Sequence, residues 1–90
     1  MGKYSVRIKK SAARELDAIP GKKDRRRLVE RIRALADDPR PAGAEKLSGF
    51  KDRYRIRQGN YRVLYEIEDE VLVVYVVKVA DRKEVYRRGG

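Results

Sequence analysis

Residues 53–68 read RYRIRQGNYRVLYEIE and contain two alternating segments on either side of a Gln-Gly-Asn loop at 58–60. In the first segment tyrosine and isoleucine alternate with arginine. Because successive side chains of a strand point to opposite faces, this alternation separates the apolar side chains from the cations. The stretch therefore predicts a hairpin of two strands, Arg53–Arg57 and Tyr61–Glu68, with an apolar face and a basic face.

The segments at the two ends of the chain extend this hairpin into a sheet. After a second hairpin loop at 68–70, residues 71–77 read VLVVYVV and are apolar on both faces, so strand Val71–Val79 is predicted to be central. Residues 3–10 alternate with Tyr4, Val6 and Ile8 on one face, which is typical of a half-buried strand.

Two helices are predicted between the first strand and the hairpin. Ser11 is the predicted N-cap of the first helix, which Pro20-Gly21 ends. The second helix is predicted from Lys22 to Asp37, before Pro39. The inward stripes, at helical spacing, are Ala12, Leu16 and Ile19, then Leu28, Ile32 and Leu35. The expected fold is one small α+β domain, residues 1–90, in the order β-α-α-β-β-β, with a two-helix hairpin packed on one face of a mainly antiparallel sheet.

The composition excludes several classes of protein. Among 90 residues there are 24 Lys and Arg against 14 Asp and Glu, giving a net charge of +10, and there is no His or Cys. Disulfide scaffolds, thiolate nucleophiles, Ser-His-Asp triads and His or Cys zinc sites are therefore excluded. With no membrane-length apolar run and no secretory leader, a soluble cytoplasmic protein is expected. The charge favours a polyanionic partner such as nucleic acid or an acidic protein.

The basic face of the hairpin is the first candidate for contact with nucleic acid. Its side chains on one strand lie about 7 Å apart, close to the phosphate spacing of a single strand. The alternative is a solvated strand face whose arginines form salt bridges with Glu66 and Glu68. The basic residues between 51 and 62 are Lys51, Arg53, Arg55, Arg57 and Arg62.

Two further basic segments are candidates. The C-terminal segment places Tyr86 among cations, where it could stack on an RNA base or could be a core or capping aromatic. The second helix could dock RNA phosphates or an acidic protein, or could simply be an exposed amphipathic helix. The candidate residues in these segments are Arg82, Lys83, Tyr86 and Arg87, and Lys22, Lys23 and Arg26.

Any catalysis by these residues is expected to proceed without metal, because the acidic residues form no metal-ligand cluster in the sequence. The simplest metal-free cleavage of RNA uses the substrate's 2′-hydroxyl to attack the adjacent phosphate, with cations stabilising the developing charge. Arginine suits that second task and is a poor general base. Tyr86 is the one plausible titrating group near the cluster.

The chain resembles the RelE/ParE superfamily of bacterial and archaeal type II toxins. The resemblance runs from about residue 3 to residue 87 and covers the order of the predicted elements. The motifs that carry it are Leu47-Ser48-Gly49, Tyr54-Arg55-Ile56-Arg57, Gly59-Asn60-Tyr61-Arg62-Val63-Leu64-Tyr65 and Asp81-Arg82-Lys83-Glu84-Val85-Tyr86.

The resemblance implies a ribosome-dependent endoribonuclease that cuts mRNA in the decoding A site and is neutralised by a RelB-like antitoxin in an oligomeric complex. It implies no cofactor. By position, Arg55, Arg57, Arg62, Arg82 and Tyr86 match the family's catalytic set. Arg62 and Arg82 would hold the scissile phosphate, and Tyr86 would stack on the substrate or exchange a proton with it.

The sequence departs from the family at two places. The best-known member has lysines where Arg55 and Arg57 stand, and many relatives have a histidine where Asp81 stands. The group that acts as general base therefore stays open. The alternatives are a ParE-like gyrase inhibitor without nuclease activity, in which the helical hairpin contacts the target, and an inactive RNA-binding relative.

Overall fold

The computed structural model describes residues 3–49 and 52–81 and contains the hairpin that the alternation predicts. Strand β3 spans Arg53–Gln58 and β4 spans Tyr61–Glu68. Gly59 at the first turn position has φ 61°. A glycine in this conformation fits a type II′ turn, whose twist matches that of the flanking strands. The turn therefore fixes the register in which β3 and β4 pair.

Within the described residues, five strands form one mixed sheet in the order β1-β5-β4-β3-β2. The added strands are β1 (Ser5–Ile8), β2 (Glu45–Lys46) and β5 (Val73–Asp81). β1 runs parallel to β5, and the other neighbours are antiparallel. The expected α+β fold with a mainly antiparallel sheet is confirmed, with β2 as an additional edge strand.

The predicted limits and place of the last strand were wrong. β5 begins at Val73, because Val71 and Leu72 lie in the preceding turn, where Leu72 has φ 55°. Both side chains are exposed. β5 is internal, between β1 and β4, but the middle strand of the sheet is β4.

Helix α1 spans Lys10–Asp17 and α2 spans Lys22–Ala34. The predicted cap at Ser11 was wrong, since the N-cap of α1 is Lys9, two residues earlier, and it makes no side-chain capping bond. α2 ends before the predicted Asp37. Residues 35–37 form tighter turns instead, in which each backbone N–H donates to the carbonyl oxygen three residues earlier.

Both helices pack on the same face of the sheet, and the predicted inward stripes are confirmed. Tyr65, on the middle strand, is the largest fully buried side chain. No helix within the described ranges is long and apolar enough to cross a membrane. The core cluster consists of Ala12, Leu16, Ile19, Leu28, Ile32, Leu35, Ile56, Val63, Tyr65, Ile67, Val74, Val76 and Val79.

Candidate nucleic-acid interface

The arginines of the hairpin share the sheet face that points away from the helices. We call this surface the open face. In the β3–β4 register Arg53 pairs with Glu66, Arg55 with Leu64 and Arg57 with Arg62. The intervening Ile56 and Val63 pair with each other and are buried under the helices. Strand pleating therefore separates cations from core as the sequence predicts.

Two of these arginines are neutralised by neighbouring carboxylates. Arg53 Nη2 donates to Glu66 Oε2 at 2.6 Å. Arg55 Nη2 donates to Glu45 Oε2 at 2.7 Å, across the β2–β3 pairing. The salt-bridge alternative from the sequence thus describes Arg53, whose partner is Glu66, while the sequence does not indicate the partner of Arg55, Glu45.

Arg57 and Arg62 differ from the other two. They are directly opposite each other at the turn end of the hairpin. Within the described ranges neither forms an ion pair. Like charges directly opposite on one sheet face destabilise the sheet, with Cβ atoms about 5 Å apart. An anion bound between the two guanidinium groups would relieve that repulsion.

The end of β5 lies beside this arginine pair. Ala80 is the register partner of Arg62, and Asp81 is the partner of Tyr61. The small Ala80 side chain is buried. The predicted site residues Lys51, Arg82, Lys83, Tyr86 and Arg87 lie outside the described residues, and their roles stay predictions.

The basic residues of α2 lie on a different surface. Lys22, Lys23 and Arg26 are exposed on the helix layer, across the sheet from the open face. Lys22 and Arg26 border a groove of about 360 Å³ between the helices, with Leu16 and Val29 in its lining. These cations and the open-face arginines are therefore two separate surfaces.

Chemically, the arginine pair offers permanent positive charge and fixed N–H donors. A guanidinium keeps its proton at any working pH, so it binds a phosphate but does not accept a proton. Nearby Tyr61 is on the helix side of the hairpin; burial, and then Asp81 and Asp24, raise its pKa. The described stretches contain no group of three or more acidic side chains placed to hold a metal ion.

A polar network at the opposite end of the sheet was not foreseen from the sequence. Asp69 accepts hydrogen bonds from Arg40 Nη2 at 2.8 Å and from the Tyr4 hydroxyl at 2.7 Å. These bonds hold the pKa of Asp69 below its usual value. Arg40 also donates to the Tyr54 hydroxyl at 3.1 Å and lies over its ring. The network ties the loop after α2 to the turn before β5.

Comparison with known proteins places this chain and its fold in one family. Residues 6–86 match the family model described as ParE toxin of type II toxin-antitoxin system, parDE. The chain is 29% identical over 85 residues to Toxin RelG of Mycobacterium tuberculosis, covering 94% of this chain and 98% of that protein. It is 38% identical over 66 residues to the mRNA interferase toxin RelE of Escherichia coli, covering 69% of this chain and 68% of that protein.

Solved structures give the same result. The archaeal RelE–RelB complex from Pyrococcus horikoshii aligns with a TM-score of 0.79 and 33% identity over 89% of this chain and 96% of that chain. The isolated E. coli RelE toxin aligns with a TM-score of 0.76 and 30% identity over 96% of this chain and 94% of that chain. The fold and matches define a small basic toxin of the type II class. The chain belongs to the RelE/ParE superfamily of type II toxins.

Proposed function

We propose that this toxin is a ribosome-dependent endoribonuclease that cleaves mRNA in the A site. The observation that carries the proposal is the opposed pair Arg57 and Arg62 on the open face, which lack ion-pair partners among the described residues, whereas Arg53 and Arg55 have them. Relatives from E. coli and Shigella flexneri named mRNA interferases support the reaction class.

The proposed chemistry is attack of the substrate's 2′-oxygen on the adjacent phosphorus. The 2′-O–P bond forms as the P–5′-O bond breaks, leaving a 2′,3′-cyclic phosphate and a 5′-hydroxyl. The hydroxyl proton passes to a general base, and the 5′-oxygen receives a proton as it leaves. Arg62 and Arg57 stabilise the charge on the non-bridging oxygens. Arg55, released from Glu45, and Arg82 add further phosphate contacts, and Tyr86 stacks or transfers a proton.

The remaining predicted cations would contact RNA away from the reacting phosphate. Arg53, Lys51, Lys83 and Arg87 are proposed to bind RNA backbone phosphates, and the α2 cations form the second surface. The proposed partner that neutralises the toxin is a RelB-like antitoxin, supported by the archaeal and E. coli RelE–RelB complexes among the structural neighbours. Since its substrate is translating mRNA, the proposed location is the cytoplasm.

Mapping of mRNA ends on translating ribosomes tests the activity. The wild-type protein is expected to produce A-site cuts. Arg62→Ala is expected to slow them by about 10²–10³-fold, the usual effect of removing one donor that stabilises the transition state. Arg14→Ala, at an exposed α1 position with the same charge change, is the matched control and is expected to keep the wild-type rate. Intact mRNA with the wild-type protein would reject the proposal.

The second candidate is a ParE-like gyrase inhibitor. The description of the matched family model favours it, as does the exposed basic surface of α2. A DNA supercoiling assay separates the two functions. Inhibited gyrase together with intact mRNA would assign the ParE-like function, and α2 substitutions would then matter more than Arg62→Ala.

The proposed cleavage needs no metal ion. With ribosomes held intact by a non-metal polyamine, the single-turnover rate is expected to persist when EDTA removes magnesium. Control reactions without EDTA, at the same polyamine concentration, separate ribosome integrity from chemistry. Loss of the cleavage step in intact, toxin-bound ribosomes would contradict the metal-free mechanism.

A further inference from the structure

β5 contains a register shift next to the arginine pair. Val76 pairs with Tyr65, but Lys78 pairs with Leu64, so Val77 is an extra residue on β5. Before this bulge the even-numbered Val74 and Val76 face the helices, and after it the odd-numbered Val79 does so. Such a bulge reverses the facing of every residue that follows it.

One side chain, Glu15 of α1, holds the strand immediately after the bulge. β1 pairs with β5 only as far as Val76, so the following edge of β5 has no strand partner in the described sheet. Glu15 Oε1 accepts the Val79 backbone N–H at 3.0 Å, and its Oε2 accepts Lys78 Nζ at 2.8 Å. The carboxylate thus pairs a backbone donor that the sheet leaves open.

The bulge decides what lies beside Arg62. With it, Ala80 is opposite Arg62, on the open face. Without it, Val79 would take that position and a branched side chain would stand beside the guanidinium. The same shift would turn Asp81 to the other face.

We propose that Glu15 is a positioning residue for the cleavage reaction, which fixes the register of the end of β5 beside Arg62. The inference rests on the proposed function for its activity readout and on the Glu15 contacts for its structural readout. Glu15 touches no substrate in this scheme; it acts through Val79 and Lys78.

The test compares full-length wild type with Glu15→Ala, Glu15→Gln and the control Glu30→Ala, an exposed glutamate on α2. In Glu15→Ala, amide exchange at Val79 is expected to accelerate about tenfold, as for loss of one hydrogen bond. The Arg62–Ala80 cross-strand NOE is expected to weaken. Single-turnover cleavage is expected to slow about tenfold or more, with KM for programmed ribosomes within about threefold.

Glu15→Gln keeps an oxygen for the Val79 N–H and is expected to retain exchange protection and to lie within about threefold of the wild-type rate. If Glu15→Ala does not fold, Glu15→Asp takes its place, since it keeps the charge but is one methylene shorter. The proposal is overturned if amide exchange at Val79 is unchanged. It is also overturned if exchange is faster but the NOE and the cleavage rate per folded molecule are unchanged. If wild type cuts no mRNA, the proposed function fails, and exchange and the NOE alone decide the role of Glu15.

Discussion

Tyr65 joins the apolar core to a loop through a single polar atom. Its side chain is fully buried, and its hydroxyl donates to the Pro39 carbonyl at 2.7 Å. Its ring stacks on Tyr54 with centroids 6.0 Å apart. Because a buried phenol needs a partner, this bond fixes where the chain turns after α2.

Tyr65→Phe is expected to lower the free energy of unfolding by about 1–2 kcal/mol, since it leaves the buried Pro39 carbonyl without its donor. Urea denaturation measures the change. Tyr75→Phe, at a half-buried tyrosine of β5, is the control and is expected to change stability by less than about 0.5 kcal/mol. Equal effects of the two substitutions would refute the role of the Tyr65 hydroxyl.

Tyr65 also makes stability depend on alkaline pH. Burial, the largest cause, raises its pKa from 10.0 to about 12. Below pH 10 the phenol is neutral in both folded and unfolded chains. Between pH 10 and 12 the unfolded chain loses this proton first, so stability falls as pH rises, by up to about 3 kcal/mol from this group. The expected observation is a steeper fall for wild type than for Tyr65→Phe in urea unfolding from pH 9 to 11.5; parallel curves would contradict it.

At the scale of elements, what the sequence predicts depends on how many residues repeat a pattern. The alternation of β3 and β4 is long enough to assign each face, so Ile56 is buried and Arg57 is not, as predicted. β2 has only Glu45 and Lys46, too few residues to show a period. The Arg55–Glu45 ion pair therefore could not be predicted.

Features that depend on tertiary packing also could not be predicted from the sequence. Ser11 is a favourable capping residue, but the chain leaving β1 enters the helix at Lys10, and packing outweighs local preference. The valine run predicts a strand but does not indicate the bulge at Val77, because each of its apolar residues can be placed on either face of the sheet. The bulge is seen in the pairing of β5 with β4 and is accompanied by the contacts of Glu15, on a distant helix, with Val79 and Lys78.

The β2–β3 pairing leads to a prediction about Arg55. Glu45→Gln removes its ion-pair partner and is expected to add about one phosphate contact, steepening the salt dependence of single-stranded RNA binding by about 0.7 in log K against log salt. Glu68→Gln, an exposed β4 residue with the same charge change, is the control. Fluorescence anisotropy across a salt series measures both slopes. If the two variants shift equally, net charge alone explains the effect.

At the scale of the whole molecule, charge is sorted between the two ends of the sheet. Arg57 and Arg62 are at the β3–β4 turn, while Asp52, Glu68, Asp69 and Glu70 surround a surface pocket at the opposite end. Within a net charge of +10, this arrangement gives the open face a polarity along its strands. A polyanion approaching the face is steered toward the arginine pair and away from the acidic end.

That polarity predicts where RNA phosphates are neutralised. If the arginine pair holds one phosphate between its guanidinium groups, Arg57→Ala combined with Arg62→Ala is expected to flatten the salt slope for single-stranded RNA by about 0.7. Lys10→Ala with Arg14→Ala removes the same charge from exposed positions of α1 and is expected to change the slope by much less. Contact with about five phosphates in all would give the wild-type protein a slope near −3.5. If both double variants flatten the salt slope equally, RNA binding depends on overall charge. The open face is then not the binding site.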